Sequence, residues 1–406
     1  MAGPLSHVRV LDLSRVMAGP WAGQVLADLG ADVIKIERPG VGDDTRGWGP
    51  PFLKAADGTS AHDAGYFLAT NRGKRSLTLD LTKPEGQEIV RALAARSDIL
   101  LENFKVGTLA RFRLASTDLQ QVNSRLIYCS ITGFGQEGPK APNVAYDFMI
   151  QAMGGLMSVT GEEDGRLGAG PQKVGVPIVD LMTGMYAVVA VLAALARREV
   201  SGQGDYIDLA MLDVQANFLA NQAMNYLLSG VTPRRYGNGH PNIMPQQVFK
   251  CRDGDIVLAV GNDGQYQRMC HAINRPDLAA DERLVRNAGR VRHRDELLGL
   301  IAQIFAGWKR SDLVAALDAA GVPCGPINSV PEVFEDPQVK HRGMRIDIPH
   351  PTAGKVPQVA SPLRFAQAPL HYERPPPLLG EHSLQILREL GMDDAKIEAL
   401  RKAQII

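Results

Sequence analysis

The stretch VRVLDLSRVMAGPWAGQVLADLGADVIKIE, residues 8–37, decides the fold class of this 406-residue chain. It begins with a β-rich run, continues with apolar residues at helical spacing, and ends in a second β-rich run over Asp32–Glu37. Gly30 lies between the helical part and the second run, where a glycine commonly ends a helix. The stretch therefore predicts a strand, a helix and a second strand in succession.

The same alternation continues along the first third of the chain. A helix is predicted to begin at Pro84, and further strands are predicted over Ser76–Leu81, Asp98–Phe104 and Leu126–Phe134. Strands that alternate with helices of this length are typical of a parallel sheet covered on both faces. We therefore expect an α/β fold with a large doubly wound, Rossmann-like domain.

The rest of the chain is organised differently. Residues 146–230 are mostly helical around a predicted strand over Asp205–Leu212, and residues 231–247 are rich in turn formers. A β-hairpin turning at Asp253–Gly254 and several helical segments follow, and beyond Pro337 the chain is irregular until a C-terminal helix. We predict a large domain over residues 1–230, a linker and small α+β domain over 231–330, and a return segment over 331–406 whose helix packs on the large domain.

The composition argues against several classes of protein. Lysine plus arginine and aspartate plus glutamate both number 44, so the chain has no overall electrostatic attraction to nucleic acid or an anionic membrane. The longest apolar run, Met185–Ala196, is shorter than the roughly 20 residues that span a bilayer. Four cysteines and nine histidines lack metal-ligand spacing, and the N-terminus lacks a signal-peptide pattern. We expect a cytoplasmic protein with no metal, nucleic-acid or membrane partner.

The opening strand–helix–strand pattern is also found in dinucleotide-binding proteins. Their G-x-G-x-x-G motif is absent here, because the turn reads SRVMAGPWAGQ with Pro20 inside it. Glu37 and Arg38 end the second predicted strand, and ligands of open α/β sheets bind at the carboxyl ends of the strands. The pair is interpreted either as part of such a ligand site or as solvated surface charges.

One acid stands out in the stretch VGVPIVDLMTGMYAVVAVLAALARR, residues 174–198. Asp180 lies where a long apolar helix is predicted to begin. Aspartate is a preferred helix N-cap, so a structural role explains the position by itself. The alternative is that Asp180 is the reacting carboxylate of an enzyme.

Nearly the whole chain resembles the class III CoA-transferases, typified by the formyl-CoA and carnitine CoA-transferases. The resemblance rests on several blocks in the right order, among them VLDLSRVMAGP, NRGKRSLTLDL, ILLENF, AYDFMIQAMGGLMSVTG, SGQGDYIDLAMLD and AGVPCGPINSV. The segments YGNGHPNIMPQQVFK and ERPPPLLGEHS are most similar to the succinate–hydroxymethylglutarate CoA-transferase branch, which handles dicarboxylic acids.

The resemblance implies a set of site residues. It makes Asp180 the catalytic nucleophile, and it makes the tyrosine–acid pair Tyr146 and Asp147 part of the CoA site. The residues implied to bind CoA are Met17, Ala18, Arg38, Arg75, Leu79, Thr82, Asn103, Phe104, Lys105, Arg111, Tyr146 and Asp147. A substrate loop is implied at Tyr236, Gly237, Asn238, Gly239 and His240, although it lacks the run of four glycines found in relatives. Val144 and Ala145 stand where some relatives carry a basic residue.

The resemblance also implies chemistry and assembly. CoA would move from an acyl-CoA, with succinyl-CoA as the implied donor, to a dicarboxylate through an aspartyl anhydride and an aspartyl-CoA thioester on Asp180. Acyl-CoA and a free carboxylic acid are then the small-molecule partners, and no permanently bound cofactor or metal is required. Family members form interlocked homodimers, so the same assembly is expected here. Arg234, Arg235 and His240 are candidates for binding a second carboxylate, with exposed linker charges as the alternative.

Two rival functions are considered. An α-methylacyl-CoA racemase would share the fold, but racemases carry a histidine acid/base where this chain has Tyr146. A tyrosine with its ordinary pKa of ~10 is a poor base near neutral pH. A non-catalytic CoA-binding subunit would keep the arginines and lose Asp180, whereas this chain has both. Cys324 in VPCGP is interpreted as a small buried residue and not as a nucleophile.

Overall fold

The computed structural model describes residues 3–58 and 60–406 of the chain. Its strands are β1 Arg9–Asp12, β2 Asp32–Glu37, β3 Phe52–Lys54, β4 Ser60–Ala64, β5 Arg75–Thr78, β6 Ile99–Glu102, β7 Ile127–Thr132, β8 Asp205–Ala210, β9 Gln246–Cys251, β10 Gly254–Ala259, β11 Cys324–Pro326, β12 Arg345–His350 and β13 Gly354–Val359.

The helices begin with α1 Ala18–Asp28, α2 Gly65–Leu68, α3 Pro84–Ala94, α4 Thr108–Arg111, α5 Ser116–Val122, α6 Asp147–Met153, α7 Leu156–Val159, α8 Ile178–Ser201, α9 Met211–Phe218 and α10 Ala220–Ser229. They continue with α11 Asp263–Ala272, α12 Pro276–Ala280, α13 Asn287–Arg292, α14 Arg294–Ala306, α15 Arg310–Ala319, α16 Val330–Glu335, α17 Pro337–His341, α18 Ser383–Glu389 and α19 Asp394–Lys402. A short 3₁₀ helix covers Asp44–Gly47.

Six parallel strands form the main sheet, in the order β5-β2-β1-β6-β7-β8. In the middle of the sheet Leu11 of β1 lies between Ile34 of β2 and Leu100 of β6. A smaller antiparallel sheet has the order β11-β10-β9, and helices surround it. The predicted fold class, a large parallel α/β sheet with a smaller α+β part, is confirmed.

The main sheet is covered on both faces because successive strand residues point to opposite sides. Val10 and Val33 pack in one apolar cluster with side chains of α1 and α8. Leu11 and Ile34, their neighbours in sequence, pack in a second cluster with side chains of α3, α5, α18 and α19. Strands buried on both faces are expected to be nearly continuous in apolar residues, as VLDL and DVIKI largely are.

The chain forms two compact units whose borders differ from the predicted domains. Unit 1 contains the residues up to Leu156, Val174–Ala223 and Gln338–Ile406, and unit 2 contains Met157–Lys173 and Met224–Pro337. The segment 157–173, predicted as part of the large domain, thus belongs to unit 2. The reason is non-local pairing, since the Gly237 N–H donates to the Gly161 carbonyl at 3.1 Å and the Arg235 guanidinium binds the Asp164 carboxylate.

The stretch after Pro337 is more regular than predicted. Strands β12 and β13 pair as an antiparallel hairpin, with Asp347 opposite Pro357 and Pro349 opposite Lys355. Proline normally argues against a strand, but both strands of a two-stranded ribbon are edges, where a missing N–H is tolerated. In unit 2 the β9–β10 hairpin turns at Arg252–Asp253, one residue before the predicted turn, because Cys251 pairs with Gly254.

Helix α8 is the one helix in the described part of the chain that is long and apolar enough to cross a membrane, judged by length and composition. It is 24 residues long, which is twice the length of the apolar run Met185–Ala196, because the helix continues beyond that run at both ends. Its side chains Ala187, Val188 and Val191 are buried against α1 and the sheet. Gly184 allows the close approach, since a Cβ there would lie 2.6 Å from the carbonyl oxygen of Ala18.

We predict that Gly184→Ala destabilises the protein despite the better helix propensity of alanine. The added methyl group meets backbone, which cannot rotate away, so overpacking should cost about 1–3 kcal/mol and outweigh a propensity gain of about 1 kcal/mol. The control is Gly299→Ala in α14, where a Cβ meets nothing within 4 Å and stability should rise. Urea unfolding followed by circular dichroism measures both changes, and equal stability of the two variants would contradict the packing argument.

Candidate active site

Two cavities of unit 1 lie at the carboxyl ends of the parallel strands. The Asp180 cavity, about 260 Å³, is lined by residues that follow β1, β6 and β7, by the segment 141–146, and by Asp180 and Met211. The Arg38 cavity, about 240 Å³, is lined by residues at the ends of β1, β2 and β5 and by Phe104, Thr108 and Phe112. Ligands of open parallel sheets bind at this edge, so both cavities are candidate substrate sites.

The position of Asp180 is fixed by a second carboxylate. Asp180 is the third residue of α8, and the N-cap position is occupied by Pro177, so the simple N-cap interpretation of Asp180 is wrong. Asp147 provides the cap instead, because its Oδ2 accepts the N–H groups of Val179 at 2.7 Å and of Asp180 at 3.2 Å. Helix N-termini leave such N–H groups without intrahelical partners, and a carboxylate there is favoured by the helix dipole.

A buried glutamine holds Asp147 in turn. The Gln151 Nε2 donates to Asp147 Oδ1 at 2.5 Å, and Gln151 Oε1 accepts the N–H of Val174 at 2.9 Å. Gln151 is fully buried, one helical turn after Asp147 in α6. The chain that leads into α8 and the carboxylate that caps α8 are therefore held by the same side chain.

The surroundings of Asp180 weaken its acidity. The side chain is 9% exposed, and burial raises the pKa of Asp180 to about 7, with a further contribution from the negative charge of Asp147. Burial disfavours the charged form of a carboxyl group, whereas the start of a helix favours it. Burial prevails here. The Asp180 carboxyl group therefore loses its proton near neutral pH.

The turn between β1 and α1 forms one wall of the Asp180 cavity. Val16 has a φ of 73°, a strained conformation for a β-branched residue, and its N–H lies 3.3 Å from both Asp43 carboxylate oxygens. Asn103 binds the neighbouring Arg15 through both backbone groups, at 2.9 Å and 2.7 Å. The turn places Met17 and Ala18 at the cavity, and the N–H of Ala18 has no acceptor among the described residues.

Buried charged side chains next to the turn between β1 and α1 hold it in place. Lys35 and Asp43 form an ion pair at 2.9 Å and are both fully buried, and Lys74 pairs with Asp12 at the same distance. Burial alone would raise the pKa of Asp43, but the Lys35 ammonium and Thr45 hydrogen bonds outweigh it and lower that pKa to about 2. Glu37 belongs to the same buried set, since it pairs with Arg46 at 2.7 Å. Glu37 is therefore held by partners within the protein, although it lines the Arg38 cavity together with Arg38.

The structure brings most of the predicted site residues together. Those that line the Asp180 cavity are Met17, Ala18, Asn103, Phe104, Lys105, Tyr146 and Asp180. Those that line the Arg38 cavity are Arg38, Leu79, Thr82 and, again, Phe104. Asn103 reaches the cavity wall, but both ends of its amide are occupied by the backbone of Arg15.

Three predicted CoA-binding residues line neither cavity. Arg75 is buried and pairs with Asp32 at 2.7 Å and Glu389 at 2.8 Å, so its guanidinium is occupied within the protein. Arg111 is exposed at the end of α4. Asp147 caps α8 and contacts the backbone instead. Gln151 and Arg15 also take part in the site, although neither was predicted from the sequence. Gln151 could have been found from its spacing, because it lies four residues after Asp147 on a helix, whereas no sequence signal pointed to Arg15.

The predicted substrate loop lies in unit 2 and lines a cavity of about 440 Å³ there, through Tyr236, Asn238 and Gly239. Gly237 adopts a positive φ of 56°. The Nδ1 atom of His240 accepts the N–H groups of Asn242 and Ile243 at 3.0 and 3.1 Å. Burial, helped by the charge of Arg294, lowers the pKa of His240. Because Nδ1 accepts backbone N–H groups, only the Nε2 atom of His240 could donate to a second carboxylate.

The two arginines proposed beside this loop have partners of their own. Arg234 lies 3.4 Å from Glu163, and Arg235 pairs with Asp164. Arg294 was not considered from the sequence, yet its guanidinium lies over the Tyr236 ring at 4.9 Å and donates to the His240 carbonyl at 2.7 Å. Its described partners are carbonyl oxygens and an aromatic ring. In the described residues no group of three metal-ligating side chains is close enough to hold a metal ion.

The chain is similar to known proteins along nearly its whole length. Residues 5–383 match the CoA-transferase family III. A succinate–glutarate CoA-transferase of Agrobacterium fabrum is 51% identical over 95% of this chain and 96% of its own length. A succinyl-CoA:glutarate CoA-transferase of Mus musculus is 41% identical over 99% of this chain and 90% of its own length.

A solved structure shares the fold across almost the whole chain. The crystal structure of a CaiB/BaiF family protein from Brucella suis is 48% identical, covers 96% of this chain and all of its own, and superposes with a TM-score of 0.84. The predicted family and enzyme class are therefore confirmed. A parallel sheet with a cavity that contains Asp180 at its carboxyl edge and a match over residues 5–383 lead to one conclusion: the chain is a member of CoA-transferase family III.

Proposed function

We propose that this enzyme transfers CoA from succinyl-CoA to a dicarboxylate of five or six carbons, with Asp180 as the covalent carrier. The observation that carries the proposal is the Asp180 carboxyl group at the wall of a cavity, with a pKa of about 7. A nucleophile of that pKa is largely ionised at slightly alkaline pH and is more basic than an ordinary carboxylate. Both properties favour attack on a thioester.

The exchange proceeds through two covalent states on Asp180. An Asp180 oxygen attacks the acyl carbonyl of succinyl-CoA and the carbon–sulfur bond breaks. This step releases CoA thiolate and forms a mixed anhydride between Asp180 and succinate. The thiolate attacks the aspartyl carbonyl, which releases succinate and forms an aspartyl-CoA thioester. The acceptor carboxylate attacks this thioester to form a second anhydride, and the thiolate attacks the acceptor's acyl carbonyl, which restores Asp180. Each bond broken is replaced by one formed, so no water, ATP or redox partner is consumed.

Charge that develops on oxygen in each step needs a donor. The N–H of Ala18 lies at the start of α1 on the same cavity as Asp180. Backbone N–H groups at a helix start stabilise negative charge, and an ordered donor of this kind contributes about 2.7–4 kcal/mol to a transition state. We infer that Ala18 stabilises the tetrahedral oxyanion.

The choice of substrates is supported by the relatives. Both transferases described above are named for succinate or succinyl-CoA together with glutarate, and one is 51% identical to this chain. Racemisation of an acyl-CoA is the competing chemistry for this fold. It requires a base that removes an α-proton, and this chain has Tyr146 at the position where racemases carry a histidine.

We also propose a homodimer. Unit 1 exposes large apolar side chains in the single chain, among them Phe148 of α6 at 56% and Val189 of α8 at 60%. Exposed apolar side chains on neighbouring helices commonly mark a protein interface. A second copy of the chain would bury them, in agreement with the predicted interlocked assembly.

The first prediction concerns Asp180 itself. Asp180→Asn keeps the shape of the side chain but removes the nucleophilic oxygen, so transfer of CoA from succinyl-CoA to glutarate should fall at least 10³-fold, as expected when covalent catalysis is lost. Products are read by mass spectrometry, with adipate and the monocarboxylate valerate as further acceptors. Glu199→Gln, on an exposed part of the same helix, should retain activity. Transfer that survives in Asp180→Asn would refute the covalent route.

A second prediction uses the pKa of Asp180. The pKa of Asp180 in the folded protein, about 7, lies above the ordinary value of 3.8 for an aspartate, so between these pH values the folded state binds more protons than the unfolded state. The stability of the protein therefore falls as pH rises from about 4 to 7. Asp180→Asn cannot ionise and should be more stable than the wild type at pH 8, by roughly 4 kcal/mol at most. At pH 4 the two should be nearly equal. Urea unfolding at both pH values tests this, and a pH-independent difference would contradict it.

A third prediction concerns the assembly. Sedimentation equilibrium should report twice the chain mass of 43.9 kDa at micromolar concentration. Val189→Asp places a charge on the exposed apolar surface and should shift the equilibrium toward the monomer. Val200→Asp, at the exposed C-terminal end of the same helix, serves as a comparison. A monomer at all concentrations would contradict the proposal.

A further inference from the structure

We propose that Arg15 binds the diphosphate of coenzyme A, at the passage between the two cavities of unit 1. This inference rests on the proposed CoA transfer and deepens it, because it names the residue that would join two separate parts of the substrate site. It concerns a residue that neither the sequence reasoning nor the family resemblance singled out.

The two cavities meet at two side chains. Arg15 and Phe104 line both the Asp180 cavity and the Arg38 cavity. The Arg15 guanidinium lies 5.8 Å from the centre of the Phe104 ring. The other cations at the cavities differ in this respect, since Lys105 lines only the Asp180 cavity and Arg38 lines only the Arg38 cavity.

The shape of CoA assigns its ends to the two cavities. The thioester must reach Asp180 for transfer to occur, so the pantetheine arm belongs in the Asp180 cavity. The Arg38 cavity has apolar walls formed by Leu13, Ile36, Leu79, Leu81 and Phe112. Such walls suit a flat purine ring. The diphosphate links nucleotide and pantetheine, so it must pass between the cavities, where Arg15 lies.

Arg15 is prepared for such a ligand. Asn103 fixes its backbone by two hydrogen bonds, while its side chain remains 46% exposed. The guanidinium pairs with Asp44 at 3.0 Å, and Arg38 lies 3.8 Å from the same carboxylate. Two arginines thus share one partly exposed acid. Exposed ion pairs contribute little stability, so Arg15 can exchange Asp44 for phosphate oxygens at small cost.

The chemistry of the ligand matches that of the side chain. A diphosphate carries several anionic oxygens, and the planar guanidinium presents paired N–H donors that bind two of them at once. Lysine would supply the charge without this geometry. A guanidinium at this place therefore suits a diphosphate better than an ammonium group would.

Binding of nucleotide fragments tests the inference without any turnover. We expect Arg15→Gln to weaken the binding of ADP about ten- to hundredfold in calorimetry and to leave adenosine binding unchanged. Arg15→Lys should fall between the wild type and Arg15→Gln. Arg388→Gln, an exposed arginine that also pairs with an aspartate, lies at neither cavity and should bind ADP like the wild type. Unchanged ADP binding in Arg15→Gln, or an equal loss for adenosine, would overturn the proposal.

Asp44→Asn separates a ligand contact from a structural ion pair. It breaks the same pair as Arg15→Gln but leaves the guanidinium free, so ADP should bind at least as tightly as in the wild type. A loss equal to that of Arg15→Gln would show that the ion pair itself is what matters.

Turnover supplies an independent measurement. Arg15→Gln should lower kcat/KM for succinyl-CoA about ten- to hundredfold and leave kcat/KM for succinyl-pantetheine, which lacks the diphosphate, within about twofold of the wild type. An equal loss for both thioesters would contradict the assignment. If the wild type transfers CoA to no acid, the proposed function fails, while the ADP measurement still decides the role of Arg15.

Discussion

The Asp147 carboxylate accepts the N–H groups of Val179 and Asp180 in the first turn of α8, and the rest of the site depends on this contact. This contact fixes where the helix begins and therefore where Asp180 lies in the wall of the cavity. It also places a negative charge beside Asp180, which adds to burial in raising the pKa of that carboxyl group. Asp147 therefore both positions the carboxyl group and adjusts its acidity, without itself lining the cavity.

The opposite wall of the cavity is held by charges of a different kind. Lys35, Asp43, Asp12 and Lys74 are fully buried, and each has an oppositely charged partner. A buried pair is strongly destabilising when one partner is lost, so these residues specify one arrangement of the β1–α1 turn. That arrangement keeps Val16 in a strained conformation and presents Ala18 to the cavity. The site thus combines a costly buried carboxyl group with a costly turn, as is common where function competes with stability.

Local patterns in the sequence predicted the central fold well. Strand β2 has the predicted bounds, and α3 begins at Pro84 as expected, because periodicity and helix-start signals are local. β8 ends at Ala210 and α9 begins at Met211, where an apolar run fits a strand and a helix equally. The ion pair of Arg75 with Glu389 was not predicted, because Glu389 lies 314 residues away in the sequence. Such long-range pairing leaves no trace in a single sequence.

The most direct test of the account is chemical trapping on the working enzyme. The protein is incubated with succinyl-CoA and then treated with hydroxylamine or borohydride, and its peptides are analysed by mass spectrometry. The account predicts a hydroxamate or a reduced side chain at Asp180, formed only in the presence of the thioester. Turnover with an unmodified Asp180, or with the label on a different residue, would contradict it.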